Sequence, residues 1–566
     1  MALKIPRPGK RSKQQFNTSI PAVRRWIDNL PLINIEASVQ QLEFALNEIN
    51  KADIPASVRH DALELLTAPV IHVCEVLKKS YLGKQFPLRK RELDSAAKVA
   101  GLYQRMATSY KILVSVMVKK PDSRTGLTIA IHRAMRHLSE VLIGNYQIYL
   151  PCPAGIWEDL HTLYAISEQF GLQQQAVKDI TQHKPVESNI EAIYKQILLL
   201  SLACPYRLRQ AIIREVYKLL DQWAPYSKLL GGSAEAGNAF FTWNLESDNA
   251  PVYLTERNQD ERDAQWRALD TSDMAEPVRM VIKARKENSK RYSVHLDERI
   301  LQRLMLSWGV MPERKFTRHP QDASVQVVLG LRTVHSIISD AEPEPQEEPK
   351  AETEILRERE YLLDPTLEQP TTINTGHSAS GTRQPSDNWP SFPRQDTAST
   401  GGRPAGTVND SITIENWKMQ DMSAGGYCLL WDSEETTSAQ IGELVAIKTS
   451  RDSDDDWHLG VVRWMKFTRE RGLGLGVEMM SPGASAIHAR VCDEKSSANE
   501  EMQGILLPDI IKLHQQATLL LPPLLFHTGC RSKLFHGDKQ EQIRLTRQLE
   551  DTGSFAQFYF SPADES

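Results

Sequence analysis

The sequence predicts a multidomain α + β chain: an N-terminal all-α helical domain, then an antiparallel β-barrel, then a C-terminal β-rich segment. Three observations carry that expectation. Apolar residues recur with a helical period from about Leu30 to Leu230. Short alternating or apolar runs, separated by turn-rich links, take over from Ile412. Between these regions lies a long acidic and Pro/Ser/Thr-rich stretch that shows neither period.

Composition narrows the function classes. A chain of 566 residues has room for several cores, and 41% hydrophobic with 25% charged residues is ordinary globular material. A net charge of −5 argues against a general nucleic-acid coat or a polybasic membrane binder, so no nucleic-acid partner is expected. The longest apolar windows, "ILLLSLAC" and "ATLLLPPLL", are far too short to span a bilayer, and no membrane span is expected. Cys74, Cys152, Cys204, Cys428, Cys492 and Cys530 are scattered without CxxC spacing, which fits neither a disulfide framework nor a zinc site. The expectation is a soluble, reduced, cytoplasmic protein without metal or cofactor.

Residues 1–30 read as a basic flexible tail, because "MALKIPRPGKRSKQQ" has no apolar core of the kind a secretory signal needs. Residues 31–232 form the helical domain. Leu42, Ala45, Leu46 and Ile49 fall on one helix face, as do Leu208, Ile212, Val216, Leu219 and Trp223. Trp157, Leu160 and Tyr164 have the spacing of a tetratricopeptide helix, but no second copy follows, and a generic amphipathic helix is the better reading. Residues 233–309 are a mixed connecting region in which "AFFTWNLESDNAPVYL" reads as a hairpin. Residues 339–410 combine many prolines with few apolar side chains, and so cannot offset ordering entropy by burial. They are expected to be a disordered insertion with a short helix around Ile355 to Leu363. Residues 483–566 are the C-terminal β-rich segment.

Two short motifs flank the insertion. Upstream, "PERKFTRHP" places Arg314 and Arg318 four residues apart, before the alternating strand "ASVQVVLGL". Downstream, "MQDMSAGGYCLLW" carries Asp421, Ser423 and Gly426 before an apolar strand, with "LGLGVEMM" closing the run. With the insertion folded out, the order RxxxR, strand, strand, DxSxxG, strands resembles the PilZ domain, a small β-barrel that binds cyclic di-GMP. The resemblance covers residues 310–338 and 411–482, under a fifth of the chain, in a long proteobacterial form with a helical N-terminal region. A disordered loop closes at a cost that grows only logarithmically with length, so about a hundred intervening residues do not prevent the barrel from forming.

The resemblance implies a ligand site at Arg314, Arg318, Asp421, Ser423 and Gly426, and the residue types suit that ligand. A cyclic dinucleotide offers two phosphates and guanine edges. The planar guanidinium fork pairs bidentately with either, as lysine does not. Asp421 accepts from guanine N1–H and N2–H₂, Ser423 adds a hydroxyl contact, and Gly426 keeps the backbone clear of a Cβ. Because the arginines join the upstream region to the barrel, ligand binding is expected to change the barrel's arrangement with a helical domain that holds an unidentified protein partner. The alternative is a degenerate PilZ-like scaffold that binds no nucleotide and serves as an interaction module in a motility or cell-surface assembly.

Other candidates are weaker. Asp452, Asp454, Asp455 and Asp456 lack the ligand alternation of a calcium loop and read as a solvated turn. His72 and Cys74 read as core packing. Trp417, Trp431, Trp457 and Trp464 read as barrel core or rim. No nucleophile elbow, phosphate-cradling loop or carboxylate pair asks for an enzyme.

Overall fold

A computed structural model describes residues 3–7, 16–119, 123–181, 186–231, 239–254, 265–287, 296–309, 316–341, 413–449, 457–468, 472–481, 483–492, 501–509, 515–537 and 539–563. The expected disordered insertion, its short helix, the aspartate turn at 452–456 and Arg314 lie outside these residues.

The helical region opens earlier than expected. Helix α1 (Ile20–Asp28) falls inside the stretch read as a tail: Pro21 suits a helix start, Val23 is buried, and Trp26 packs edge-on against Phe16. There follow α2 (Ile35–Lys51), α3 (Ala56–Lys78), α4 (Lys90–Met117), α5 (Arg124–Gln147) and α6 (Ile156–Gln169). A small hairpin of β1 (Val177–Asp179) and β2 (Val186–Ser188) interrupts the all-α pattern before α7 (Ile190–Leu202) and α8 (Gln210–Trp223). Several helix starts are capped as their sequences require. Asn34, Ser123 and Asn189 accept from backbone N–H groups three residues on, at 2.8–3.1 Å.

Helix α5 is buried along nearly its whole length although it carries Arg133, Arg136, His132, His137 and Glu140. Burial is tolerable because each charge is met. Arg136 reaches Asp179 at 2.7 Å, Gln196 at 2.7 Å and the Tyr217 hydroxyl at 3.0 Å. Glu140 accepts from Lys78 at 2.9 Å and from both forks of Arg214 at 2.6 and 2.8 Å. Against the cost of burial, Arg214 and Lys78 hold the Glu140 carboxyl well below the usual range. His72 and Cys74 part company: Cys74 is fully buried, whereas His72 points to solvent.

The connecting region forms a four-stranded sheet in the order β3 (Lys228–Gly231), β6 (Trp266–Asp270), β4 (Phe241–Asn244), β5 (Val252–Tyr253), followed by α9 (Ala275–Lys286) and α10 (Glu298–Gly309). Its β4–β5 loop caps the helical region. The Asp248 carboxylate accepts from the N–H groups of Gly155, Trp157 and Glu158 at 2.6–3.1 Å, at the positive start of α6.

Two closed six-stranded antiparallel barrels complete the chain. The first comprises β7 (His319–Leu329), β8 (Glu415–Ser423), β9 (Gly426–Trp431), β10 (Leu444–Thr449), β11 (His458–Thr468) and β12 (Gly472–Ser481), in the spatial order β10-β11-β12-β9-β8-β7. The second comprises β13 (Ser485–Val491), β14 (Met502–Leu507), β15 (Thr518–Leu521), β16 (Arg531–His536), β17 (Lys539–Asp551) and β18 (Ala556–Pro562). The C-terminal β-rich segment is thus a barrel of its own rather than an extension of the first.

The link after β7 is helix α11 (Leu331–Ala341). Its Val334, Ile337 and Ile338 pack with Leu444 of the first barrel and Ile505, Leu520 and Phe555 of the second. Backbone hydrogen bonds tie the first barrel to the helical region, Phe467 N–H to Tyr149 O at 2.8 Å and Thr437 N–H to Phe86 O at 2.7 Å. Arg209 bridges all three bodies, donating to Ile441 O at 2.7 Å and to Ser554 Oγ at 2.8 Å. Among the described residues, no helix is long and apolar enough to cross a membrane.

Buried histidines predict acid sensitivity. Burial and then Arg133 draw the pKa of His137 down to about 4, and burial draws that of His161 down to about 4. Unfolded, both titrate near 6.5, so between pH 6.5 and 4 the unfolded state binds protons that the folded state refuses. Stability should fall across that window by up to about 3 kcal/mol per histidine. The His137 ring packs with those of Tyr103 and Tyr110, at centroid distances of 5.9 and 5.7 Å. His137→Phe keeps a ring there and should make the urea midpoint less steep between pH 7 and 4.

Candidate functional site

The site is built at one end of the first barrel, where β7 pairs with β8. Their register sets His319 opposite Met422 and Pro320 opposite Asp421. Each strand carries a bulge beside this point: β7 shifts register between Pro320 and Ala323, and β8 between Met419 and Asp421. Bulges raise local twist and re-aim side chains, and here they flank the Asp421 carboxylate.

Arg318 stands immediately before β7 and donates from Nη1 to Asp421 Oδ2 at 3.2 Å, across 103 residues of sequence. The two side chains are 31% and 24% exposed, so the pair can be reached from solvent. An ion pair of this exposure contributes roughly 1 kcal/mol or less, so separating the two partners costs little. The sequence motifs therefore meet, with Arg318 and Asp421 in direct contact.

Ser423 and Gly426 close the β8–β9 hairpin around a two-residue turn of Ala424 and Gly425. The Ser423 hydroxyl donates to Gly426 O at 3.4 Å, and Gly425 O accepts from Met479 N–H at 3.0 Å. Gly426 is demanded twice over. Its φ of +149° is a conformation that L side chains rarely adopt, and a Cβ there would lie 1.9 Å from Val477 O.

Phe316, the middle residue of "RKFTR", is a participant that motif reading missed. A Cβ on Gly425 would come within 2.8 Å of its ring, so Phe316 packs against the hairpin turn and brings the chain leading into Arg318 to it. The available signal was one aromatic residue in an otherwise charged linker. The same contact explains Gly425, which the motif treats as variable.

Beneath the ion pair, Cys428 lies opposite Asp421. Burial, and then the Asp421 carboxylate, push its thiol up to about 12, against the opposing pull of Arg318. It stays protonated and forms an apolar floor. On the far side of the turn Glu478 lies opposite Gly426, and its carboxylate pairs with Arg463.

"LGLGVEMM" has a steric meaning as well. A Cβ at Gly476 would meet the Trp464 indole at 1.7 Å, and one at Gly474 would touch it at 3.5 Å. The glycines let that ring lie against the sheet. Trp417, Trp431 and Trp457 are buried. Among the described residues no His, Cys, Asp and Glu groups are clustered to hold a metal.

Gly426→Ala should destabilise the chain by about 2 kcal/mol or more. Gly483→Ala, where nothing lies within 4 Å of the added carbon, should stay within about 0.5 kcal/mol of the parent in the same urea titration.

Comparison with known proteins agrees with this architecture. Residues 21–234 match the family model described as cyclic-di-GMP receptor FimW, N-terminal domain. Residues 240–486 match its middle PilZ domain, and residues 487–563 the FimW C-terminal beta-barrel domain. The cyclic-di-GMP receptor FimW of Pseudomonas aeruginosa is 27% identical over an alignment of 606 positions, which spans 100% of this chain and 94% of that protein. No solved structure matches significantly. The chain belongs to the PilZ-domain family, in the form that joins a helical N-terminal region to a PilZ barrel and a C-terminal barrel.

Proposed function

We propose that this protein is a cyclic di-GMP receptor whose ligand is held by Arg314, Arg318, Asp421, Ser423 and Gly426. The observation that carries this reading is the Arg318–Asp421 contact, which joins two motifs 103 residues apart at an accessible barrel end. The receptor name of the full-length relative supports it.

Arg318 and Asp421 neutralise one another. A cyclic dinucleotide offers each a better partner, guanine N–H donors to Asp421 and phosphate or guanine acceptors to Arg318. One solvent-exposed pair is exchanged for several charge-assisted hydrogen bonds. Binding draws on the segment that joins α10 to β7, so it shifts the arrangement of the barrel and the helical region, by no more than the ligand's difference in affinity for the two arrangements. A protein partner is assigned to the helical region, because both barrels are closed and offer no free strand edge for pairing.

Calorimetric titration of the full chain with cyclic di-GMP tests the site. Binding at micromolar or tighter affinity is expected, and Arg314→Ala and Arg318→Ala should each weaken it by about tenfold or more, which is about 1.4 kcal/mol. Absence of heat at high ligand concentration would overturn the proposal in favour of a scaffold that binds no nucleotide.

A further inference from the structure

A second cluster of arginines lies where the helical region, the connecting region and both barrels meet. Arg207 sits in the turn after α7, Arg299 and Arg303 lie one turn apart on α10, and Arg463 projects from β11. Arg463 takes the available acids. It pairs with Glu478 on β12 and with both oxygens of Glu550 on β17, the Nη2 to Oε2 distance being 2.9 Å.

The other three guanidinium groups have no such partner. Among the described residues, no carboxylate lies within ion-pair distance of Arg207, Arg299 or Arg303. Among the described residues, Arg303 donates only to Arg207 O, at 3.3 Å, and the buried Nη1 of Arg299 has no hydrogen-bond partner. Asp297 and Asp551, which also act electrostatically on Arg299, are engaged with backbone N–H groups of Arg299 and Gly553.

The imbalance carries through to the electrostatics of the cluster. Burial, and then the neighbouring guanidinium groups of Arg463 and Arg207, draw the pKa of Arg303 down to about 10. Arg207 and Arg299 are lowered too, chiefly by burial. Arg463 is raised, because Glu478 and Glu550 outweigh its burial. Partly buried positive charge in excess of its counter-ions is costly unless an anion completes it. Planar forks with several free N–H groups match the geometry of a phosphate.

We propose that Arg207, Arg299 and Arg303 form a second anion site that takes a phosphate- or pyrophosphate-class oxyanion, with Arg463 as its shared wall. It is separate from the nucleotide site at Arg318. Its occupant braces the junction of the helical region with the two barrels.

The test is a thermal melt of the full chain against inorganic phosphate or pyrophosphate, with sodium chloride at matched ionic strength as the reference. A saturable rise of roughly 2 °C or more is expected at low millimolar pyrophosphate in the parent chain. The rise should persist in Arg318→Ala and disappear in both Arg303→Gln and Arg299→Gln, whose folding is checked by circular dichroism. General salt stabilisation would appear equally in all variants. That outcome, or loss of the response in Arg318→Ala, would overturn the proposal.

Discussion

The pairing of β7 with its two neighbours is the constraint on which the rest depends. β7 is the barrel strand that precedes the long insertion, yet it lies between β8 and β10 and closes the sheet on itself. Its inward residues Val325 and Val327 are buried, and a slip of one residue would turn them to solvent. That burial holds the register, and the register sets Pro320 against Asp421. The Arg318–Asp421 contact is a consequence of core packing several residues away.

The hairpin at Gly425 and Gly426 is the second fixed point. Gly426 lets β9 approach the β12 backbone, and Gly425 makes room for Phe316. The turn is therefore gripped on two sides, by the strand that leads through Glu478 to Arg463 and by Phe316, two residues before Arg318. From Arg463 the ionic chain continues to Glu550 in the second barrel. The β8–β9 hairpin of the candidate site and the interdomain junction share one strand, β12, and so are mechanically adjacent.

Much of this was legible in residue order. The helical stripes, the switch to short strands and the DxSxxG turn follow from local period and turn chemistry, and these survive folding because neighbours in sequence remain neighbours in space. Other features were not legible. Helix α11 was hidden beside the acidic stretch, and its apolar face makes sense only with two barrels to cover it. The β1–β2 hairpin contributes Asp179, which is required by Arg136 on a distant helix. Phe316 looked like an ordinary linker residue until Gly425 came to lie under it.

By itself the sequence determined the classes of element, the order of the two motifs and the residue types suited to a cyclic dinucleotide, all properties of local spacing and chemistry. Tertiary structure alone decided that Arg318 meets Asp421, that the C-terminal strands close a second barrel, and that three arginines gather at the junction without a carboxylate partner among the described residues. Each of these depends on strand register and on packing between segments far apart in the chain. Long-range register is set by the burial of whole faces, which no short stretch of sequence records.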